Sequence, residues 1–105
     1  SRAAAAPGKS SEEKWGLSLQ PLTPQLAQRL GYGKDEQGLV VSQVEGLSPA
    51  AEAGIRRGDV IKEINRKEVR TIEDMRRIIE KDPSKADTLL LVKRGKNTFY
   101  AVLGG

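Results

Sequence analysis

The stretch Ser48 to Asn65, SPAAEAGIRRGDVIKEIN, constrains the fold of this chain more than any other. Ser48 suits a helix cap, and Pro49 suits the first helical turn, where its missing N–H would have gone unpaired. Ala50, Ala51, Glu52 and Ala53 favour helix. Gly54 can end that helix in the left-handed conformation, and Ile55 can pack back on its last turn. Gly58-Asp59 then turns the chain into Val60–Ile64, a short β-rich run. A helix start, a helix stop, a tight turn and a strand therefore follow one another without a gap.

The flanking sequence fits elements of the same small scale. Residues 1–13, SRAAAAPGKSSEE, lack apolar periodicity and read as a linker or tail. Leu17 and Leu19 alternate as on a half-buried strand. Thr23-Pro24 starts a short helix over Gln25–Leu30, stopped at Gly31-Tyr32-Gly33. Gly38–Val44 is a second strand and Val60–Ile64 a third, followed by a turn in which Asn65 tolerates a positive φ. Thr71 caps a helix with acids in its first turn, and Ile72, Met75, Ile78 and Ile79 recur at helical spacing up to Asp82-Pro83. Thr88–Lys93 and Thr98–Leu103 form a hairpin across Gly95-Lys96-Asn97. The expected class is α+β, about five strands and two or three helices in a small sandwich or barrel.

Composition narrows the function. At 105 residues, 37% of them hydrophobic, the chain supports one domain with a modest core plus a tail. It contains no cysteine and no histidine, so disulfides, a Ser-His-Asp triad, a Cys-His dyad and the usual zinc sites are unavailable. Its adjacent acids, Glu12-Glu13, Asp35-Glu36 and Glu73-Asp74, read as surface rather than as a catalytic pair, and no phosphate-binding glycine loop occurs. The net charge of +4 is spread among interspersed acids without aromatic interleaving, which argues against nucleic acid as a partner. No apolar run approaches the ~20 residues of a membrane span, and the Ala-rich start lacks the apolar core of a secretory leader. The expectation is a domain without catalysis, cofactor or metal of its own.

The segment Pro49–Asn65 resembles the signature of PDZ domains, an alanine-rich helical turn followed by A-G-[ILV]-x-x-G-D-x-[IL]-x-x-[IV]-[ND]-G. Arg66 stands where that pattern has glycine. The resemblance covers residues 14–103, leaving 104–105 as a C-terminal tail. The early position of Lys14-Trp15-Gly16-Leu17 and the additional last strand are similar to the circularly permuted bacterial arrangement, a partly open barrel or sandwich of five to six strands capped by two to three helices. Leu22–Gly31 is similar to an insertion in the second, C-terminal PDZ domain of periplasmic HtrA/DegP (protease Do) serine proteases.

This resemblance implies a function and a site. PDZ domains add an extended C-terminal peptide as a strand at a sheet edge. The carboxylate-binding loop would be Lys14, Trp15, Gly16 and Leu17, with backbone N–H donors at the last three. The pairing edge would be Leu17-Ser18-Leu19, its backbone groups otherwise unpaired. The opposite wall would carry Ile72, Arg76 and Ile79 on one face, with Met75 and Ile78 turned toward the core. Leu17, Leu19 and Ile79 would form the pocket for the terminal side chain. Ile72 replaces the histidine of many animal relatives, which implies a preference for an apolar residue two positions before the peptide's end. The implied partners are C-terminal or unfolded polypeptide segments and the other domains or subunits of a periplasmic protease in a Gram-negative bacterium. The competing expectation is a structural or oligomer-assembly module with a closed or unused groove.

Overall fold

The computed structural model describes the backbone of residues 10–12 and all of residues 15–81 and 87–104. In chain order the elements are β1 (Ser10–Glu12), β2 (Leu17–Pro21), α1 (Pro24–Arg29), β3 (Leu39–Val44), α2 (Pro49–Glu52), β4 (Val60–Ile64), β5 (Lys67–Glu68), α3 (Ile72–Lys81), β6 (Thr88–Arg94) and β7 (Asn97–Leu103). The strands form one antiparallel sheet in the order β1-β2-β3-β4-β6-β7, with β5 paired to β4. The α+β class and the hairpin at the end of the chain are as expected, and β1 is a strand that the sequence did not announce. The expected helix stop at Asp82-Pro83 lies outside the described residues.

Each helix starts where a hydroxyl can cap it. Thr23 Oγ1 accepts from Leu26 N at 3.1 Å, Ser48 Oγ from Ala51 N at 3.2 Å, and Thr71 Oγ1 from Asp74 N at 3.0 Å. Gly54 ends α2 at φ 90°, and the Ile55 N–H then donates to Ala50 O at 3.0 Å while its side chain is buried.

Alternation along the strands builds the core. Leu17 and Leu19, Leu39 and Val41, Leu90 and Val92, Ala101 and Leu103 all enter one cluster with Ala50, Ile55, Ile72 and Met75. The intervening Val40 and Val60 face the other side of the sheet, where Ala27 of α1 and Tyr32 cover them. This explains why β3 begins with three consecutive buried residues, since both of its faces are covered there. Burying each of these aliphatic side chains contributes roughly 1.5–3 kcal/mol, so the sheet is held mainly by its two faces.

Two irregularities shape the sheet. Ser18 pairs with Gln43 and Leu19 with Val41, leaving Ser42 as an extra residue of β3 whose hydroxyl donates to Ser18 O at 3.1 Å. Likewise Lys62 is extra on β4 between the pairs Ile61↔Val92 and Glu63↔Leu91. Its ammonium reaches Glu36, whose other carboxylate oxygen is 2.6 Å from Lys93 Nζ. That triad pins the loop before β3 to the middle of the sheet.

Candidate functional site

Residues 15–17 make a tight turn into β2, and the signature segment holds it in place. Ala50 N donates to Trp15 O at 3.1 Å and Glu45 N to Gly16 O at 2.9 Å. Gly16 has φ 78°, and a Cβ added to it would lie 2.3 Å from Ser48 Cβ. Only glycine fits both the conformation and the space. In a trans peptide the N–H points opposite to the C=O. With both carbonyls directed at the loop before α2 and at its first turn, the N–H groups of Gly16 and Leu17 point away from that segment. Backbone donors presented this way on a glycine turn suit an anion such as a carboxylate.

The structure brings most of the apolar residues named for the site into one cluster. Leu17 and Leu19 are fully buried in the cluster that contains Ile72 and Met75, and Ile79 is half-buried against the same cluster. Arg76 is exposed on α3 and stands outside that cluster. Trp15 is 1% exposed, so its side chain is part of the core. Met75 is turned into the core, and Ile78, half-buried, packs against the same cluster and also lines a hollow of about 380 Å³ with Lys67, Arg70 and Arg77. Lys14 lies outside the described residues.

The start of α3 is fixed electrostatically. Asp74 accepts from Arg77 at 2.6 Å and from the backbone N–H of Arg70 at 3.0 Å. The Arg77 hydrogen bond, then the Arg70 N–H, hold the Asp74 carboxyl below its ordinary range. This secures the first turn that carries Ile72.

One expectation is not met. The edge of β2 opposite β3 is covered by β1, in the antiparallel register Ser10↔Leu19, Ser11↔Ser18, Glu12↔Leu17. The three residues expected to offer an open edge are thus paired with the chain's own preceding segment. Sequence patterning misses β1 because three polar residues carry no alternation. What could have found it is geometric: an edge beside a glycine turn lies within reach of the residues just upstream.

A second feature was also invisible. Leu47, on the loop that packs against Gly16, has φ 62° and is 94% exposed. A leucine in the left-handed region is an outlier, and its exposure brings no burial in return.

The family model of the PDZ domain matches residues 40–94. The chain is 35% identical over 96 residues to a probable DegP-like periplasmic serine endoprotease of Chlamydia muridarum, covering 91% of this chain and 19% of that protein. It is 36% identical over 77 residues to the periplasmic serine endoprotease DegP of Escherichia coli, covering 73% of this chain and 16% of that protein. The chain therefore spans less than a fifth of these relatives. Among solved structures it is similar to the HtrA-type protease AlgW with a decapeptide, at a TM-score of 0.74 and 28% identity, covering 86% of this chain and 27% of that one. The fold is shared with the HtrA3 PDZ domain bound to a phage-derived ligand, at a TM-score of 0.69 and 22% identity over 91% of this chain and 83% of that one. On the match across β3 to β6, and on a sheet and helices arranged like those of these neighbours, the chain belongs to the PDZ domain family.

Proposed function

We propose that this domain captures C-terminal or unfolded polypeptide segments as an added strand on β2, within a periplasmic serine protease of the DegP type. Residues 14–103 make the module, the second and C-terminal PDZ domain of that protease, and 1–13 its linker. The observation that carries the reading is the outer edge of β2, which takes an antiparallel strand running toward the Gly16 turn. A peptide in the same sense would bring its terminal carboxylate to the N–H groups of Trp15, Gly16 and Leu17, beside Lys14. Its last side chain would enter between Leu17, Leu19 and Ile79. Ile72 would face the residue two positions earlier, with Arg76 at the exposed rim.

Titrating the ¹⁵N-labelled domain with the hexapeptide Ala-Ala-Ala-Leu-Ala-Val, and with Ser in place of its Leu, tests this. Shifts are expected at Lys14–Leu19 and Ile72–Ile79, with the Leu peptide binding more tightly. Tighter binding of the Ser peptide would remove Ile72 from its assigned role. The second reading is a module that contacts other domains or subunits and leaves its groove unused, favoured by the β1 strand already lying on the edge. Absence of shifts at peptide concentrations on the order of 1 mM, the weakest useful affinity range, would favour it.

A further inference from the structure

We propose that Ser10–Glu12 is a built-in competitor for the peptide site, so that the linker and a captured peptide exclude one another on β2. This rests on the capture reading above. A strand has two hydrogen-bonding edges, and β3 takes one of them throughout Leu17–Pro21. The other is the edge a captured strand must use, and β1 pairs there with Leu17, Ser18 and Leu19, the residues assigned to capture. The direction also coincides. Glu12 lies opposite Leu17, at the Gly16 end, where the last residues of an antiparallel peptide would sit.

The cover is built to be reversible. It is three residues long, and its Ser-Ser-Glu sequence has poor strand propensity. It is tethered through only two residues to Trp15, so it re-engages intramolecularly at high effective concentration. A weak strand with a short tether lowers the apparent affinity for peptide by the fraction of time the edge is open. By linkage, whatever draws the linker away from β2 strengthens capture, and a captured peptide releases the linker by the same factor.

The test compares the full chain with a form lacking residues 1–12, and with a full-length Ser10→Pro/Ser11→Pro double variant, in which one of the two residues loses an N–H that the ladder needs whichever register face it occupies. The probe is the Ala-Ala-Ala-Leu-Ala-Val hexapeptide, followed by calorimetry. Both altered forms are expected to bind about tenfold more tightly than the full chain, and without peptide their Leu17 and Leu19 amides, which face β1, are expected to exchange with solvent faster. Equal affinity in all three forms would overturn the inference. If no form binds peptide, the capture reading fails instead, and the exchange data decide the cover on their own: unchanged protection of the Leu17 and Leu19 amides after truncation would overturn it. Thermal melts of each form confirm that the fold, whose core starts at Trp15, is kept.

Discussion

Gly16 and Ser48 touch so closely that a Cβ on Gly16 would lie 2.3 Å from Ser48 Cβ and 2.6 Å from Ser48 Oγ. The contact joins the turn proposed to bind a carboxylate to the cap of α2, which opens the family signature. Ser48 is held on its own side by donating to Glu45 O at 2.6 Å and accepting from Ala51 N. The signature therefore shapes the turn proposed to bind a carboxylate.

Gly16→Ala should accordingly be among the most damaging single-methyl changes in the chain. It adds overpacking against Ser48 to a left-handed φ, about 2–4 kcal/mol together. Ser48→Gly alone loses the cap side chain, a change of only a few tenths of a kcal/mol. The double variant Gly16→Ala/Ser48→Gly should be more stable than the sum of the two predicts, because the clash is gone and only the φ strain is left. Urea unfolding of the four proteins measures that coupling, and strict additivity would show that the contact is not limiting.

The turn between β4 and β5 gives the opposite prediction. Asn65 and Arg66 have φ 52° and 69°, the signs of a type I′ turn, for which Asn-Gly is the favoured pair. Arg66 is exposed, so the departure from the family pattern has a local energetic cost and no visible packing gain. Arg66→Gly is expected to stabilise by about 1 kcal/mol, raising Tm by about 4–8 °C for a domain of this size. The same argument applies to Leu47→Gly, and an unchanged Tm in both would contradict it.

What the sequence discloses is what is decided within four or five residues. The caps at Thr23, Ser48 and Thr71 and the stop at Gly54 are each settled by neighbours on the chain. Residues whose role is long-range stay unread. Asn65 is legible as a turn residue, but its side chain also accepts from Leu89 N at 2.9 Å, which fastens the turn to β6. Tyr32 is legible as part of a helix stop, yet its hydroxyl donates to Lys93 O at 3.0 Å across the sheet. Trp15 shows neither its burial nor its place in the core until β2 and α2 are brought together. Leu17, Leu19 and Ile72 are legible as core residues because they alternate or repeat at strand and helix spacing, whereas β1, on the edge of β2, has no apolar pattern to find.

Asp59, the polar residue of the signature's Gly-Asp pair, is a structural anchor. It is 2% exposed, accepts from Arg56 N at 2.8 Å, and is gripped by Arg94 through Nε at 2.8 Å and a terminal nitrogen at 2.6 Å. The Asp59 hydrogen bond raises the pKa of Arg94, so the guanidinium remains charged at any working pH. Asp59→Ala is expected to cost about 2–3 kcal/mol, since it strands the Arg56 N–H while Arg94 can turn to solvent. Chemical denaturation gives the value, and a loss below about 0.5 kcal/mol, the range of ordinary surface substitutions, would remove Asp59 from this role.

Glu36 supplies the pH dependence. Burial pushes its carboxyl up, but hydrogen bonds and charge from Lys62 and Lys93 together outweigh burial and leave it below its ordinary value. In the unfolded chain a glutamate titrates near about 4.3. The ionised form is therefore favoured in the folded state, and its stabilisation is complete above that value. As pH falls through the unfolded and then the lowered folded value, the unfolded chain binds the proton first and the stabilisation disappears. Glu36→Gln should cost about 1–2 kcal/mol at neutral pH, where it removes a charged acceptor between two lysines. The difference between wild type and variant should then shrink steadily below about pH 5. Urea unfolding of both proteins across that range checks it, and a gap that stays constant with pH would show that the triad does not hold Glu36 ionised.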